Sequence, residues 1–334
     1  MAINVTASHV AESYDSGNMK EDVSDIIFNI DPSETPLLSN MGTRDVSNTT
    51  FEWNVEDLPT NGRGNNKAEG ADFTSEVATQ VTRKTNVTQI SSRNATVTGT
   101  MTAVSQYGKQ SELAHQMMLV SKALKLDIDA DISAHQQRSA GSGNAGGNRA
   151  TQSLSHQISR GNNVVVKSSS GTTVPSADDS GYSQGSSTEQ LTETLFVDVA
   201  EKIYNNGGKL DSVVCSPALK REISDFSGRG GTQVIVDESK VTSNVTLFAS
   251  DFGNIKVMIS RNIGTFGSSG ASGTDLLFVD FSMAKIAFLR PFTRQTIGKQ
   301  GDSDSEQILA EWGVQLNNSD SCGIRHDLTA TYTA

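Results

Sequence analysis

Two glycine-containing motifs have the spacing of nucleotide-binding sequences, but neither has the context that this chemistry needs. Gly141–Gly146 reads Gly-Ser-Gly-Asn-Ala-Gly, the spacing of a dinucleotide-binding turn. That turn must follow a strand and lead into a helix N-terminus, whereas here it follows a predicted helix and enters a polar segment. Asp251-Phe252-Gly253 matches a kinase triplet without an accompanying Gly-rich strand, lysine or catalytic loop. We interpret the first as a flexible loop and the second as a turn before a strand.

Three alternating carboxylates, Asp127, Asp129 and Asp131, match the start of a calcium-binding loop. Such a loop needs glycine at its sixth position and glutamate at its twelfth, which here are Ile132 and Arg138. Because the three carboxylates lie in a predicted helix, their side chains point to different faces. We expect a solvated helix surface rather than a metal site.

The histidines and cysteines are scattered along the chain. His115 and His135 lie on one predicted helix, about 30 Å apart at 1.5 Å per residue, which is too far to share a metal. Neither Cys215 nor Cys322 is close to a histidine in sequence, and we expect both to be free. With no nucleophile elbow and no Walker sequence, we expect no catalytic residue, no cofactor and no bound metal.

Composition and charge argue against two further classes of protein. The formal net charge is -11, and the lysines and arginines form no cluster of the kind that tight, sequence-independent nucleic-acid binding needs. No apolar run approaches the roughly 18 residues of a membrane span. The N-terminus lacks the basic and apolar regions of a secretory signal. We expect a protein outside the membrane that stays in the producing cell until something releases it.

The segment 26–53 predicts an extended arm with apolar anchors. Pro32 and Pro36 disfavour a helix interior and hold the residues before them extended. The apolar side chains of the arm are Phe28, Ile30, Leu37 and Leu38. Because an extended arm cannot bury such side chains by folding on itself, we expect something else to cover them.

A long hairpin is predicted after the arm. Residues 48–56 alternate, with Phe51, Trp53 and Val55 on one face, which is typical of a strand. A Gly-rich tip and a long return strand over 77–100 follow. Since a lone two-stranded ribbon is marginally stable, it must lie on its own domain or on a neighbouring subunit.

The clearest helix is predicted over 110–138, where apolar residues recur at spacings of three and four. We expect Gly141 to end it. Residues 139–187 are rich in Gly, Ser and Asn and predict an extended loop or ribbon.

Residues 188–290 predict a second compact region of helices and short strands. Thr188 is the expected N-cap of a helix that ends at Gly207, and Pro217 begins another helix. The chain beyond Lys285 shows strands but no helix, so we expect it to complete a sheet elsewhere. The fold class is α+β.

The order of these pieces resembles the major capsid proteins of tailed bacteriophages, whose fold encapsulins share. The likeness spans nearly the whole chain, except for the insert 139–187, and rests on short segments that keep their order. These segments are Asn29–Leu38, Asn48–Trp53, Glu69–Asp72, Lys109–Ala114, Asp251–Gly253, Leu289–Phe292 and Gly301–Ser303.

The resemblance implies a division of the chain. The expected parts are an N-terminal arm at 1–47, an extended β-hairpin loop at 48–92, a peripheral domain at 93–187 with a spine helix at 110–138 and the insert at 139–187, an axial domain at 188–290, and a C-terminal return to the peripheral domain at 291–334. The insert is expected near the peripheral domain or on the outer surface.

The resemblance further implies a structural protein without catalysis. Copies would form the pentamers and hexamers of an icosahedral shell around packaged double-stranded DNA, assembled in the host cytoplasm as the virion capsid. A portal protein and decoration proteins are expected partners. Either a separate scaffolding protein or none is expected, because only about twenty residues precede the arm motif, too few for a long helical scaffold. The negative charge fits an inner wall with only weak, non-specific proximity to DNA.

The resemblance also implies contacts between subunits. The ribbon of one subunit would lie across the spine helix of its neighbour, and the arm would run along an adjacent subunit. The expected contact residues are Phe28, Leu37 and Leu38 in the arm, Phe51 and Trp53 on the anchoring face of the ribbon, and Arg63, Lys67 and Glu69 at its tip.

Three alternatives stay open from the sequence. An encapsulin-like compartment shell uses the same fold, and a cargo enzyme encoded nearby would favour it. A β-rich virion surface or fibre protein that binds glycans would be a homotrimer. A hydrolase with a spatially assembled site would lose activity when one polar residue is changed.

Overall fold

The computed structural model describes residues 32–56, 58, 66–72, 80–104, 108–141, 147–159, 164–165, 189–226, 246–263, 273–299 and 301–329. The helices are α1 (Pro36–Asn40), α2 (Gly99–Ala103), α3 (Glu112–Ser133), α4 (Leu154–Ser159), α5 (Glu193–Asn205) and α6 (Pro217–Ser224). The strands are β1 (Gly42–Asp45), β2 (Thr50–Val55), β3 (Thr82–Val87), β4 (Gln89–Thr98), β5 (Val164–Val165), β6 (Ser212–Cys215), β7 (Leu247–Ser250), β8 (Gly253–Ile259), β9 (Gly273–Val279), β10 (Ala284–Ile297), β11 (Ser303–Leu316) and β12 (Gly323–Thr329).

These strands form two sheets and a separate ribbon. The four-stranded sheet has the order β1-β10-β11-β4, and the six-stranded sheet has the order β5-β12-β9-β6-β8-β7. Strands β2 and β3 form the ribbon. The mixed arrangement confirms the α+β prediction. The C-terminal part divides between the sheets, since β11 pairs with β4 while β12 pairs with β9. The expected return of 291–334 to a peripheral domain stays a prediction.

Helix α3 forms where the periodic pattern predicts it. Ser111 caps its N-terminus, where the side-chain oxygen accepts a hydrogen bond from the Ala114 N–H at 3.4 Å. The buried apolar side chains on one face are Met117, Leu124, Ile128 and Ile132. The helix ends at Ser133 rather than near Gly141, because Ala134 takes up an extended backbone. The chain then runs along the ribbon, where Arg138 donates to Thr85.

Helix α5 begins later than predicted and ends as predicted. Its N-cap is Thr192 instead of Thr188, and the preceding Glu189 forms a parallel bridge with Leu328 of β12. At its end, Gly207 has a φ of 82°, a conformation that costs least for glycine.

The arm residues that the structure describes pack on their own chain. Pro36 occupies the first turn of α1, where its missing N–H costs nothing, and β1 pairs in parallel with β10. Leu37 has no exposed surface and lies in one core cluster with Leu124 and Ile128. This corrects the expectation that the arm is extended here and that a neighbour covers Leu37. Leu38 is half-buried against the same cluster.

A buried carboxylate ties α1 to α3. Asp129 has no exposed surface, and its Oδ1 accepts a hydrogen bond from the Leu38 N–H at 2.9 Å. Its other oxygen accepts a hydrogen bond from the Asn262 side chain at 3.4 Å. The expectation that this helix surface is solvated is therefore wrong at Asp129, because the first turn of α1 needs an acceptor for its N–H groups.

Part of the predicted insert 139–187 belongs to the core. Residues 151–158, which are mostly polar, are all buried, and they include α4. Strand β5 pairs with β12. The prediction of an extended loop or ribbon is therefore wrong for residues 151–158. Their polar side chains can be buried because a partner with free hydrogen-bonding groups satisfies them.

That partner is the last part of β11. The Gln157 side chain donates to the Val314 carbonyl at 3.0 Å and accepts from the Leu316 N–H at 3.0 Å. The Thr151 hydroxyl accepts from the Val314 N–H at 3.2 Å. Side chains of the segment thus continue the hydrogen bonding of β11 beyond the point where its pairing with β4 stops.

The variant Asp129→Asn keeps the size of the side chain but does not titrate. Burial raises the pKa of Asp129 in the folded protein, against hydrogen bonds from Leu38, Asn262 and Leu37. The stability contributed by this group is therefore fully present below its unfolded pKa of about 3.9 and is lost as the pH rises through the raised folded value. We expect the stability of the natural protein relative to the variant to fall as the pH rises from about 4 through the raised folded pKa of Asp129.

Urea unfolding of the unassembled subunit at several pH values measures this difference. A relative stability that rises with pH would show instead that the ionised carboxylate is the favoured form in the folded protein.

Candidate subunit interface

The ribbon is a separate two-stranded sheet with its base near β11. Thr50 pairs with Val87 and Val55 pairs with Thr82 in an antiparallel register. The predicted return strand over 77–100 is divided at Thr88, after which the chain joins the four-stranded sheet as β4. The Thr88 N–H donates to the Thr49 carbonyl at 2.8 Å, which closes the base of the ribbon.

An aromatic pair lies at this base. The Phe51 and Trp53 rings stack with centroids 5.9 Å apart. Phe51 is 5% exposed, and its ring lies against the backbone of Gly313, where a Cβ would come within 2.7 Å of it. Phe51 therefore anchors the ribbon on its own subunit, which corrects the prediction that it anchors on a neighbour. Trp53 is half-buried and keeps surface for a further contact.

Polar side chains of β3 hold the same base. The Asn86 amide, which is fully buried, donates to the Val314 carbonyl at 2.6 Å and to the Gln152 carbonyl at 3.1 Å. Its oxygen accepts from the Gln152 N–H at 2.8 Å. The Lys84 ammonium donates to the Ser319 hydroxyl at 3.1 Å. Because removing a partner would leave buried polar groups unsatisfied, the base of the ribbon is fixed in position.

A buried charge cluster reinforces this region. The Glu311 carboxylate, which is 3% exposed, accepts from the Thr88 hydroxyl at 3.0 Å, from Arg290 Nε at 2.8 Å and from Arg149 Nη2 at 2.5 Å. Burial raises the pKa of Glu311, but Arg290, Thr88 and Arg149 outweigh it and keep the pKa below its usual range. The cluster links the ribbon base, β10, β11 and the segment before α4.

The ribbon also has exposed side chains. Glu52 and Arg83 form an exposed ion pair at 3.3 Å along its strands, and Leu58, beyond the end of β2, is 93% exposed. Lys67 and Glu69 are also exposed, as expected for the tip. Phe28 and Arg63 lie outside the described residues.

Several apolar side chains of β4, β10 and the α2 region are exposed. They are Ile90, Met101, Val104, Phe292 and Ile297, each at least 36% exposed. Between α3 and β4 lies a groove of about 420 Å³, whose lining includes Ile90, Leu124, Asp127 and Asp131. Groups of exposed apolar side chains are typical of contact surfaces between proteins.

The candidate chemistry of the sequence has mixed outcomes. Asp251 and Phe252 form a turn before β8, as predicted, and most of the Gly-rich motif lies outside the described residues. Cys215 and Cys322 are free and buried, as expected. Burial raises the pKa of Cys215 to about 12 and that of Cys322 to about 11.

No helix in the described ranges has the length and apolar character that a membrane crossing requires.

Two polar clusters were missed by sequence reasoning. One is the set around Glu311, and the other brings together His135, Asp275 and His326. Their members come from segments of the chain that are far apart, so no spacing in the sequence reports them.

Comparisons with known proteins agree with this architecture. A model of the SU10 major capsid protein family matches residues 4–329. The major capsid protein of Escherichia phage Phieco32 is 28% identical over 126 residues, which are 38% of this chain and 36% of that protein. The match thus spans little more than a third of that relative.

Solved structures show the same fold at low sequence identity. The capsid of a native GTA particle has a TM-score of 0.61 at 13% identity, over 98% of this chain and 100% of that one. A structure from Microbacterium phage Oxtober96 has a TM-score of 0.60 at 14% identity, over 93% and 96%. The SrpI encapsulin of Synechococcus elongatus PCC 7942 has a TM-score of 0.57 at 7% identity, over 95% of each chain.

The fold defines the class of architecture, which is the one that these phage capsid and encapsulin structures share. The chain belongs to the SU10 major capsid protein family. It is accordingly a structural protein of the virion capsid, and the family implies a role without catalysis. The encapsulin-like and fibre alternatives are not favoured by this family match.

The variant Gly313→Ala tests how the ribbon is anchored. The added methyl would meet the Phe51 ring at 2.7 Å and the Val87 carbonyl oxygen at 3.0 Å, so the ring or the strand must move. We expect a loss of about 1–3 kcal/mol in the free energy of unfolding. The control Gly298→Ala, where nothing lies within 4 Å of the added atom, should stay within about 0.5 kcal/mol of the natural protein. Equal values for the two variants in urea unfolding would contradict the packing described.

Proposed function

We propose that copies of this chain form the pentamers and hexamers of an icosahedral shell that encloses packaged double-stranded DNA. The observation that supports this most directly is the contrast along the ribbon. Its base is held by its own chain, while Leu58 near its far end is 93% exposed and Val81 is 54% exposed. A projecting ribbon of this kind gains stability when a neighbour covers it. Many such contacts around a closed shell add by effective concentration, even where each is weak.

We propose the groove between α3 and β4 of a neighbouring copy as the place where the ribbon lies. The groove includes the acidic side chains of Asp127 and Asp131, and the exposed basic residue Lys67 lies near the ribbon tip. Complementary charges of this kind set the register and speed of association more than its strength. Asp127 is held by Arg93, with Nη2 and Oδ1 at 2.8 Å, so an incoming lysine would add to an existing pair.

Further contacts follow from the same arrangement. Trp53 and the half-buried Leu38 are proposed contacts in the ribbon and arm, Phe28 is a third, and Arg63, Lys67 and Glu69 act at the tip. The region 188–290 is proposed to surround the fivefold and sixfold axes. A portal protein, a separate scaffolding protein and decoration proteins are proposed partners, and assembly takes place in the host cytoplasm. A net charge of -11 supports a wall that confines DNA without binding it tightly.

Negative-stain electron microscopy of the purified protein tests the proposal, and the ribbon variant Trp53→Ala sharpens it. The natural protein should give closed shells or capsomer rings. Because Trp53 is half-buried, its loss should cost the subunit mainly the stacking on Phe51, about 0.5–1.5 kcal/mol, while closed particles become rare.

The control is Phe51→Ala in the same ribbon strand. It removes a fully packed ring and should cost the subunit about 3–5 kcal/mol in the free energy of unfolding. If Trp53→Ala assembles normally and lowers only the stability of the subunit, the assignment of the ribbon to an interface is wrong. Isolated trimers or single small particles from the natural protein would overturn the shell itself.

A further inference from the structure

Three side chains from distant parts of the chain meet where α3 approaches the six-stranded sheet. His135 lies two residues beyond the end of α3, Asp275 is in β9, and His326 is in β12. Asp275 lies between the two imidazoles. One of its oxygens is 3.1 Å from His326 Nδ1, and the other contacts His135 Nε2. The ligand atoms of all three residues lie within 4.8 Å of one another.

The spacing of these groups is that of ligands around one small cation. In a tetrahedral zinc site, each nitrogen lies about 2.0–2.1 Å from the metal and neighbouring ligand atoms are about 3.3 Å apart. Two imidazole centres then lie about 5.2 Å apart, because each is about 3.2 Å from the metal. The centres of His135 and His326 are 5.0 Å apart, with ring planes inclined at 52°. Bringing a metal between the three side chains therefore needs little movement of the rings.

The surroundings suit a site of this kind. The His326 side chain is fully buried, and those of Asp275 and His135 are 16% and 20% exposed. The cluster thus combines one fully buried side chain with two that keep some exposed surface. A water molecule would supply the fourth ligand of a tetrahedral site. The neighbouring charged residue on β12, Arg325, is paired with Glu189 at 2.7 Å.

We propose that His135, Asp275 and His326 form a binding site for a divalent transition metal ion, with Zn²⁺ as the best match. Two imidazoles and one carboxylate are ligands that suit zinc, whereas calcium and magnesium prefer sites made of oxygen ligands. The ion would join the end of α3 to β9 and β12 and so brace the long helix on the six-stranded sheet. Because all three residues belong to one chain, this brace acts within a subunit and is independent of the proposed contacts between copies.

Titration of the full chain with Zn²⁺ by calorimetry, after removal of metals with EDTA, tests the proposal. The natural protein should bind one zinc ion tightly enough to raise its melting temperature. His135→Gln removes one of three protein ligands and should lower the zinc affinity more than about 100-fold, since even changes behind the ligands cost 10–100-fold. The melting temperature of this variant should no longer respond to zinc.

The matched control is His115→Gln, which removes another half-buried histidine near the opposite end of the same helix. It should bind zinc as the natural protein does. The proposal is overturned if the natural protein binds no zinc, or if His135→Gln and His115→Gln bind it equally well. In the first case the three residues act only as a hydrogen-bonded brace.

A second measurement needs no variant and so does not depend on how His135→Gln folds. The natural protein is titrated with Co²⁺, whose visible spectrum reports the number of ligands. We expect the intense absorption of a four-coordinate ion, saturating at one equivalent and abolished by Zn²⁺. The weak spectrum of a six-coordinate ion would contradict the proposed site.

Discussion

The backbone of β11 must be hydrogen-bonded on both edges, and this requirement organises the peripheral part of the molecule. β10 pairs with one edge along nearly its whole length, and β4 pairs with most of the other. Where β4 ends, the side chains of Asn86, Thr151 and Gln157 bond the backbone groups of Val314 and Leu316. A buried backbone group without a partner costs about 1–3 kcal/mol. The base of the ribbon and the polar segment that contains Thr151 and Gln157 therefore both pack against β11.

The ribbon and the arm each have one part that packs on the core of their own subunit and another part that stays exposed. In the ribbon, Phe51 and Asn86 are buried against the chain's own core, while Leu58 and the charged tip are exposed. In the arm, Leu37 is buried and Leu38 is only half-buried. A shell protein needs this division, because its subunit has to fold before assembly and still offer surface to its neighbours. The resemblance to capsid proteins implied contacts with neighbouring subunits for both elements, and two of the residues it named, Leu37 and Phe51, are buried in their own subunit.

Buried polar groups explain most of the differences between expectation and structure. Asp129, Glu311 and Gln157 are residue types that usually face solvent, and each is nearly or fully buried here with hydrogen-bond partners. The sequence analysis interpreted Asp129 as part of a solvated helix face and the segment that contains Gln157 as an extended loop or ribbon, and it gave no role to Glu311. Apolar periodicity was a better guide, since it depends on the residues of one element only. It located α3 and its buried face, whereas the end of the helix depended on contacts made elsewhere.

Several features follow from the sequence alone. The apolar repeat of α3, the alternation in β2 and the left-handed glycine after α5 are local, and local sterics and side-chain periodicity determine them. The ordered set of short segments also indicated the family. The tertiary structure alone decided which copy of the chain shelters Leu37 and Phe51, where β3 gives way to β4, and which polar side chains meet around Glu311 and Asp275. Those outcomes depend on contacts between residues tens to hundreds of positions apart, and such contacts leave no period or spacing in the sequence.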